Sequence, residues 1–110
     1  MKISNTPAPP YYAVIFTSIK NEDKKYDEIA EQMLKLVQNE PGFLGIESVR
    51  EDIGISVSYW KNLESIANWK KNIEHQAAQR LGQQSFYKVY KVRICKVERD
   101  YEFFNDKKID

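Results

Sequence analysis

PGFLGIESVREDIGISVSYW, residues 41–60, reads as two strands joined by a tight turn. Pro41-Gly42 halts whatever precedes it, because proline lacks an amide hydrogen and glycine opens the left-handed region of the backbone. From Phe43 the chain alternates: Leu44, Ile46 and Ser48 fall on one side, and Gly45, Glu47 and Val49 on the other. That period of two predicts a strand over 43–51. Asp52-Ile53-Gly54 supplies the turn, and IGISVSYW returns as the hairpin partner.

Working outward, YYAVIFTSI (11–19) is aromatic, β-branched and apolar on both faces, which predicts a strand covered on two sides. Asn21 can cap a helix with Glu22 and Asp23 in its first turn, and Tyr26, Ile29, Ala30, Met33, Leu36 and Val37 recur at helical spacing over 23–39. After the hairpin, Asn62 predicts the cap of a short helix carrying Leu63, Ile66, Ala67 and Trp69. Asn72 predicts the cap of another, which runs to Leu81-Gly82. Residues 87–103 alternate as one long last strand, Pro7, Pro9 and Pro10 make 1–10 an arm, and 104–110 is a tail. The order β-α-β-β-α-α-β predicts a single α+β domain over 11–103, ferredoxin-like, with helices on one face of a four-stranded antiparallel sheet. Apolar residues such as Ile15, Leu44, Ile46, Val57, Val89 and Val92 occupy both sides of the strands, so the second face needs a cover. A two-fold partner supplies one, and the long last strand could reach across to it.

The 110 residues carry 17 Lys+Arg against 16 Asp+Glu, interspersed, so no basic stripe exists to engage a phosphate backbone, and a nucleic-acid partner is not expected. With 42% hydrophobic residues the chain is too apolar for disorder, yet it has no run long enough to span a bilayer and no leader-like apolar segment. Cys95 is the single cysteine, so an internal disulfide is impossible; a metal site would need carboxylates or a second subunit, and none is expected. A reducing, cytoplasmic setting fits this usage, with Cys95 as a small buried hydrophobe.

Pro41-Gly42-Phe43 entering a strand, Tyr59-Trp60 leaving one, Trp69 six residues before His75, and the Tyr87/Tyr90/Arg93 strand together resemble the antibiotic biosynthesis monooxygenase superfamily. The resemblance covers roughly 11–101 and implies a homodimeric α+β barrel of ferredoxin-like subunits. One branch of that superfamily comprises cofactor-free oxygenases of phenols and anthrones, in which the ionised substrate itself reduces oxygen. In that branch an Asn four residues before the strand-ending Trp and a Tyr six after it make polar contacts. Trp60 matches, whereas those two positions hold Ser56 and Ile66. A second branch degrades haem with a first-strand Asn, a helix Trp and a ligating His ten residues later. Trp69 matches, but position 79 is Gln and 11–19 has no Asn, which disfavours haem. No cofactor is therefore expected.

The resemblance implies a small aromatic substrate held between sheet and helices. Trp60, Trp69 and Tyr87 would form the walls, Ser56 and Ile66 occupy the matched polar positions, and His75 and Arg93 are candidate catalytic groups. Each has a plainer reading. Trp60 and Trp69 bury so much area that they serve a core equally well. His75, third after an Asn72 cap, is either a neutral base or a capping ring. Alternation puts Tyr87 and Arg93 on one strand face and Tyr90 on the other, where Arg93 either holds an anion or pairs with Glu47 or Glu98. Lys70, Lys71, Lys88, Lys91 and Lys96 read as solvated surface. A non-catalytic small-ligand or stress-response protein of the same fold is the alternative function, and a haem-degrading monooxygenase a weaker one.

Overall fold

The computed structural model describes residues 2–21, 26–81 and 87–105. Its elements run β1 (Tyr11–Lys20), α1 (Tyr26–Val37), β2 (Phe43–Arg50), β3 (Gly54–Trp60), α2 (Leu63–Leu81) and β4 (Tyr87–Val97). The four strands form one antiparallel sheet in the order β2-β3-β1-β4, which is the ferredoxin-like arrangement expected. The start of α1 and its Asn21 cap, and the Gly82 cap of α2, fall on or beside residues outside the described ones.

α1 closes as its pattern requires. Lys35 lies in the last turn, the Asn39 and Glu40 amides bond back to the carbonyls of Leu36 and Val37, and Gly42 turns the chain at φ 85°. Only glycine fits there, because an added Cβ would also collide with the Ser65 side chain.

Among the described residues two helices stand where the sequence predicted three. Asn62 does cap α2, its Oδ1 accepting the Ser65 amide at 2.8 Å. Asn72 caps nothing: it sits inside one continuous helix and donates its side-chain amide to Glu40 Oε2 at 3.3 Å. A helix interior tolerates Asn at a cost of well under about 1 kcal/mol. The apolar run Ile66, Trp69, Ile73 continues through the position without a break in period, so tertiary packing carries the helix past it. The last strand is shorter than expected, ending at Val97, and Tyr101, Phe103 and Phe104 beyond it are exposed.

The core sits between the helices and one face of the sheet. Trp60, fully buried, meets Val37 of α1 and Ile66 of α2, with Tyr12, Val14, Phe43 and Trp69 packed around them. Two bulges place aromatics on this face against simple alternation. In β2 the register steps from Phe43↔Trp60 to Gly45↔Tyr59, and in β4 from Lys20↔Tyr87 to Ile19↔Val89. An extra residue reverses the parity of everything before it. Phe43 and Tyr87 therefore turn toward the helices.

Trp60→Ala should lower stability by about 3–5 kcal/mol in a urea melt. Asn62→Ala should cost about 1 kcal/mol as a lost cap. Asn72→Ala should cost less than half of that, and an equal loss at Asn72 would contradict the continuous helix.

Candidate functional site

The helix-facing surface of the sheet is built of cross-strand rows. Phe43, Trp60, Tyr12 and Lys96 form the first; Ile46, Ser58, Val14 and Ile94 the second; Ser48, Ser56, Phe16 and Val92 the third; Arg50, Gly54, Ser18 and Tyr90 the fourth. Large side chains fill the first row and the β4 end of the others. Serines and a glycine occupy the middle.

The first two rows lie under the helices. Trp60 and Trp69 stack at 6.3 Å and 30°, Phe43 meets Trp60 edge-on at 5.4 Å, and the Trp60 indole N–H donates to Ser58 Oγ at 2.8 Å. Trp60 and Ile66 are thus core rather than cavity wall, while Trp69 is half-buried at the margin of the helix-covered rows.

The last two rows are open. Tyr90 is 60% exposed and Val92 45%, and the β4 end of the second row is open as well, with Ile94 54% exposed, all on the side that the helices cover elsewhere. Phe16 stacks on Tyr90 at 5.3 Å, and Tyr87 meets both rings edge-on, at 5.2 Å from Phe16 and 5.9 Å from Tyr90. Beside this aromatic bank lie half-buried Ser56 and exposed Ser48. The result is an open trough of sheet with an aromatic wall and a hydroxyl floor.

Two sequence-predicted catalytic residues do not join it. Arg93 pairs with Ile15 on the opposite sheet face, because the bulge at the start of β4 separates it from Tyr87. The same bulge unites Tyr87 with Tyr90, which alternation had set apart. His75 is exposed and, at about 100° per residue, lies about 180° around α2 from Ile66 and 200° from Ile73, so it turns away from the sheet. With Asn72 inside the helix, no helix end stands beneath His75. Sequence reasoning overlooked Phe16 and Arg50 and set Tyr90 on the strand face opposite Tyr87. Phe16 was legible as an apolar β1 residue, but its neighbours depend on register.

Arg50 lies across Gly54, where an added Cβ would strike its guanidinium, and donates to the Ser18 hydroxyl and, at 3.4 Å, to the Ser18 carbonyl. Ser18 is only 2% exposed beneath it. Among the described residues, no group of three or more His, Cys, Asp or Glu could hold a metal ion, and no helix is long and apolar enough to cross a membrane.

The shifted titrations are on the other face, where the N-terminal arm docks. Glu47 accepts the Ser4 amide at 2.8 Å and the Tyr59 hydroxyl at 2.7 Å; Tyr11 donates to Asp100 and accepts from Thr6. Crevices of about 610 Å³ and 150 Å³ run along this arm. Burial, then the bond to Glu47 and its negative charge, push Tyr59 up to about 12; burial first and Asp100 second raise Tyr11. Cys95 is half-buried on this face, opposite Ala13.

An unfolded tyrosine ionises near 10, below the folded Tyr59. The contribution of Tyr59 to stability is therefore complete below about pH 10 and lost as pH rises toward 12. Absorbance titration at 295 nm should show a phenol resisting ionisation until about pH 12, and Glu47→Gln should move it downward. A wild-type curve fully ionised by pH 11 would contradict the Tyr59–Glu47 pairing.

A family profile for antibiotic biosynthesis monooxygenases matches residues 10–81. The chain is 51% identical over 104 residues to the uncharacterized protein YqjZ of Bacillus subtilis (strain 168), covering 92% of this chain and 91% of that one. Its fold is similar to a variant of SnoaB, a cofactor-independent oxygenase from Streptomyces nogalater (TM-score 0.61, 11% identity, 84% of this chain and 97% of that one). It is also similar to the heme-degrader MhuD of Mycobacterium tuberculosis, solved with two hemes in its active site (TM-score 0.57, 18% identity, 82% and 99% covered). At such identities these two structures speak for the fold alone. The profile match spans most of the chain and agrees with the ferredoxin-like order of strands and helices: the protein belongs to the antibiotic biosynthesis monooxygenase family.

Proposed function

We propose that this protein binds a small planar aromatic molecule in the trough on the helix side of the sheet and oxidises it with molecular oxygen, without a cofactor. The observation that supports this reading is the bank of half-buried Phe16 and Tyr87 with exposed Tyr90, beside the serine floor of Ser48 and Ser56. Tyr87, inclined 68° to Phe16 and 67° to Tyr90, gives one surface on which a flat ring can stack and another that can meet its edge. The hydroxyls can hydrogen-bond a phenolic oxygen there. Trp69 bounds the trough, while Trp60 and Ile66 fix its back wall from the core.

The chemistry asks little of the side chains. An ionised phenol or anthrone gives one electron to oxygen, the radical pair joins as a hydroperoxide, and loss of water leaves a quinone carbonyl. A shaped, largely dry site that shelters the anion is enough to favour the first step. Haem does not fit this arrangement, because the chain's single histidine lies on the outer side of α2. A second reading is a binder without turnover, favoured by Ser56 and Ile66 standing where the oxygenase branch has Asn and Tyr.

The opposite face supports a homodimer. Ile19, Val49, Ile55 and Val89 are 40–69% exposed on it, more apolar side chain than a lone sheet leaves in water. Sedimentation equilibrium should return twice the 13.0 kDa chain mass, and a monomer at micromolar concentration would sink the dimer.

Ser56→Leu, which fills the floor, should weaken binding of anthrone and naphthohydroquinone probes at least about tenfold with little change in melting temperature. Oxygen uptake with these probes should fall with binding. Binding without uptake would favour the second reading, and unaltered binding in Ser56→Leu would remove the trough from consideration.

A further inference from the structure

We infer that a second copy of the chain packs on the sheet face away from the helices with its two-fold axis along the strands, so that Arg93 of each copy pairs with Glu47 of the other. The inference rests on the homodimer reading above and adds to it the axis and the two residues that fix it.

Glu47 and Arg93 stand at the two ends of one cross-strand row, Glu47, Val57, Ile15 and Arg93, on the face that the N-terminal arm borders. Three strand spacings, about 14 Å, separate their backbones, so they do not meet within one chain. Glu47 is half-buried and receives neutral donors, the Ser4 amide at 2.8 Å and the Tyr59 hydroxyl at 2.7 Å. Among the described residues neither Glu47 nor exposed Arg93 belongs to an ion pair. A half-buried carboxylate without a cation is costly, and the cation that would answer it lies at the far end of the same row.

The signs select one way to lay a second copy on this face. Sheets packed face to face lie about 10 Å apart, a gap that an arginine and a glutamate span together. A two-fold axis across the strands lays β4 on the partner's β4, which sets Lys91 and Arg93 of one copy against the same cations of the other. An axis along the strands, above Val57 and Ile15, instead lays β4 on the partner's β2, because the sheet order is β2-β3-β1-β4. Arg93 then faces the partner's Glu47, and Glu47 faces the partner's Arg93. One symmetry operation makes both pairs. Half-buried Val57 and Ile15 fall between them, and the following rows bring exposed Ile19, Val49, Ile55 and Val89 under the same cover, an apolar centre with charge at its rim. Arg93, which the β4 bulge parts from Tyr87, thereby serves assembly.

Sedimentation equilibrium on wild type, Arg93→Glu, Glu47→Lys and the double variant tests the pair. Each single reversal should raise the dimer dissociation constant at least about tenfold, and the double variant should return it to within about threefold of wild type. Glu47→Lys also loosens the arm, but a loosened arm gives no recovery when Arg93→Glu is added, so the coupling between the two substitutions is the readout. Should Glu47→Lys fail to fold, Glu47→Gln replaces it, and Arg93→Gln should then cost nothing further. Additive losses, or a dissociation constant that Arg93→Glu leaves unchanged, overturn the pair and its axis while leaving the dimer intact. A wild-type chain that sediments as a monomer removes the dimer, and the pair with it.

Discussion

The burial of Trp60 is the constraint on which the rest of the structure depends. Its indole lies at the end of β3, where α1, α2 and β2 all arrive, and through that side chain both helices meet the sheet. Transferring so large a ring out of water outweighs most single contacts in a domain of this size. Its N–H is satisfied by Ser58 on the same strand, so full burial leaves no polar orphan. Ser58 is thereby committed to the core, which leaves Ser56 and Ser48 as the hydroxyls on the open side.

From that fixed point the helix-facing surface divides by size. The rows near Trp60 meet the helices and the row ends near Tyr90 stay open, with the small side chains of Ser48 on β2, Ser56 and Gly54 on β3 and Ser18 on β1 beside Phe16, Val92 and Tyr90. A packed interior would fill the middle with aliphatics. Gly54, Ser18, Ser48 and Ser56 do the opposite, and the aromatic bank beside them stays wet. This division, core at one end and open sheet at the other, leaves an aromatic surface beside the core of a 110-residue chain.

The opposite face obeys other rules. Tyr59 and Tyr11 pair with carboxylates and are covered by an N-terminal arm tied to Glu47 through the Ser4 amide. The perturbed titrations are therefore structural, located where arm and sheet join. Perturbed pKa values point to active sites in many enzymes. Here they mark a seam.

Local sequence by itself determined the four strands, the α1 pattern, the Pro41-Gly42 stop, the Asn62 cap and, through them, the ferredoxin-like order, since each depends on periodicity or on a neighbour within a few residues. It also made Trp60 and Trp69 core candidates. What only the tertiary structure decided are the quantities set by distant partners. Asn72 is read as a cap until Glu40, 32 residues away, occupies its amide. Tyr87 and Arg93 share a face by counting, and the extra residue at the β4 bulge parts them, because register against β1 and not spacing along β4 sets side-chain direction. Arg50 carries no local signal at all: its place over the trough comes from the absence of a side chain on the facing strand, a fact of the hairpin's pairing that no window of sequence contains.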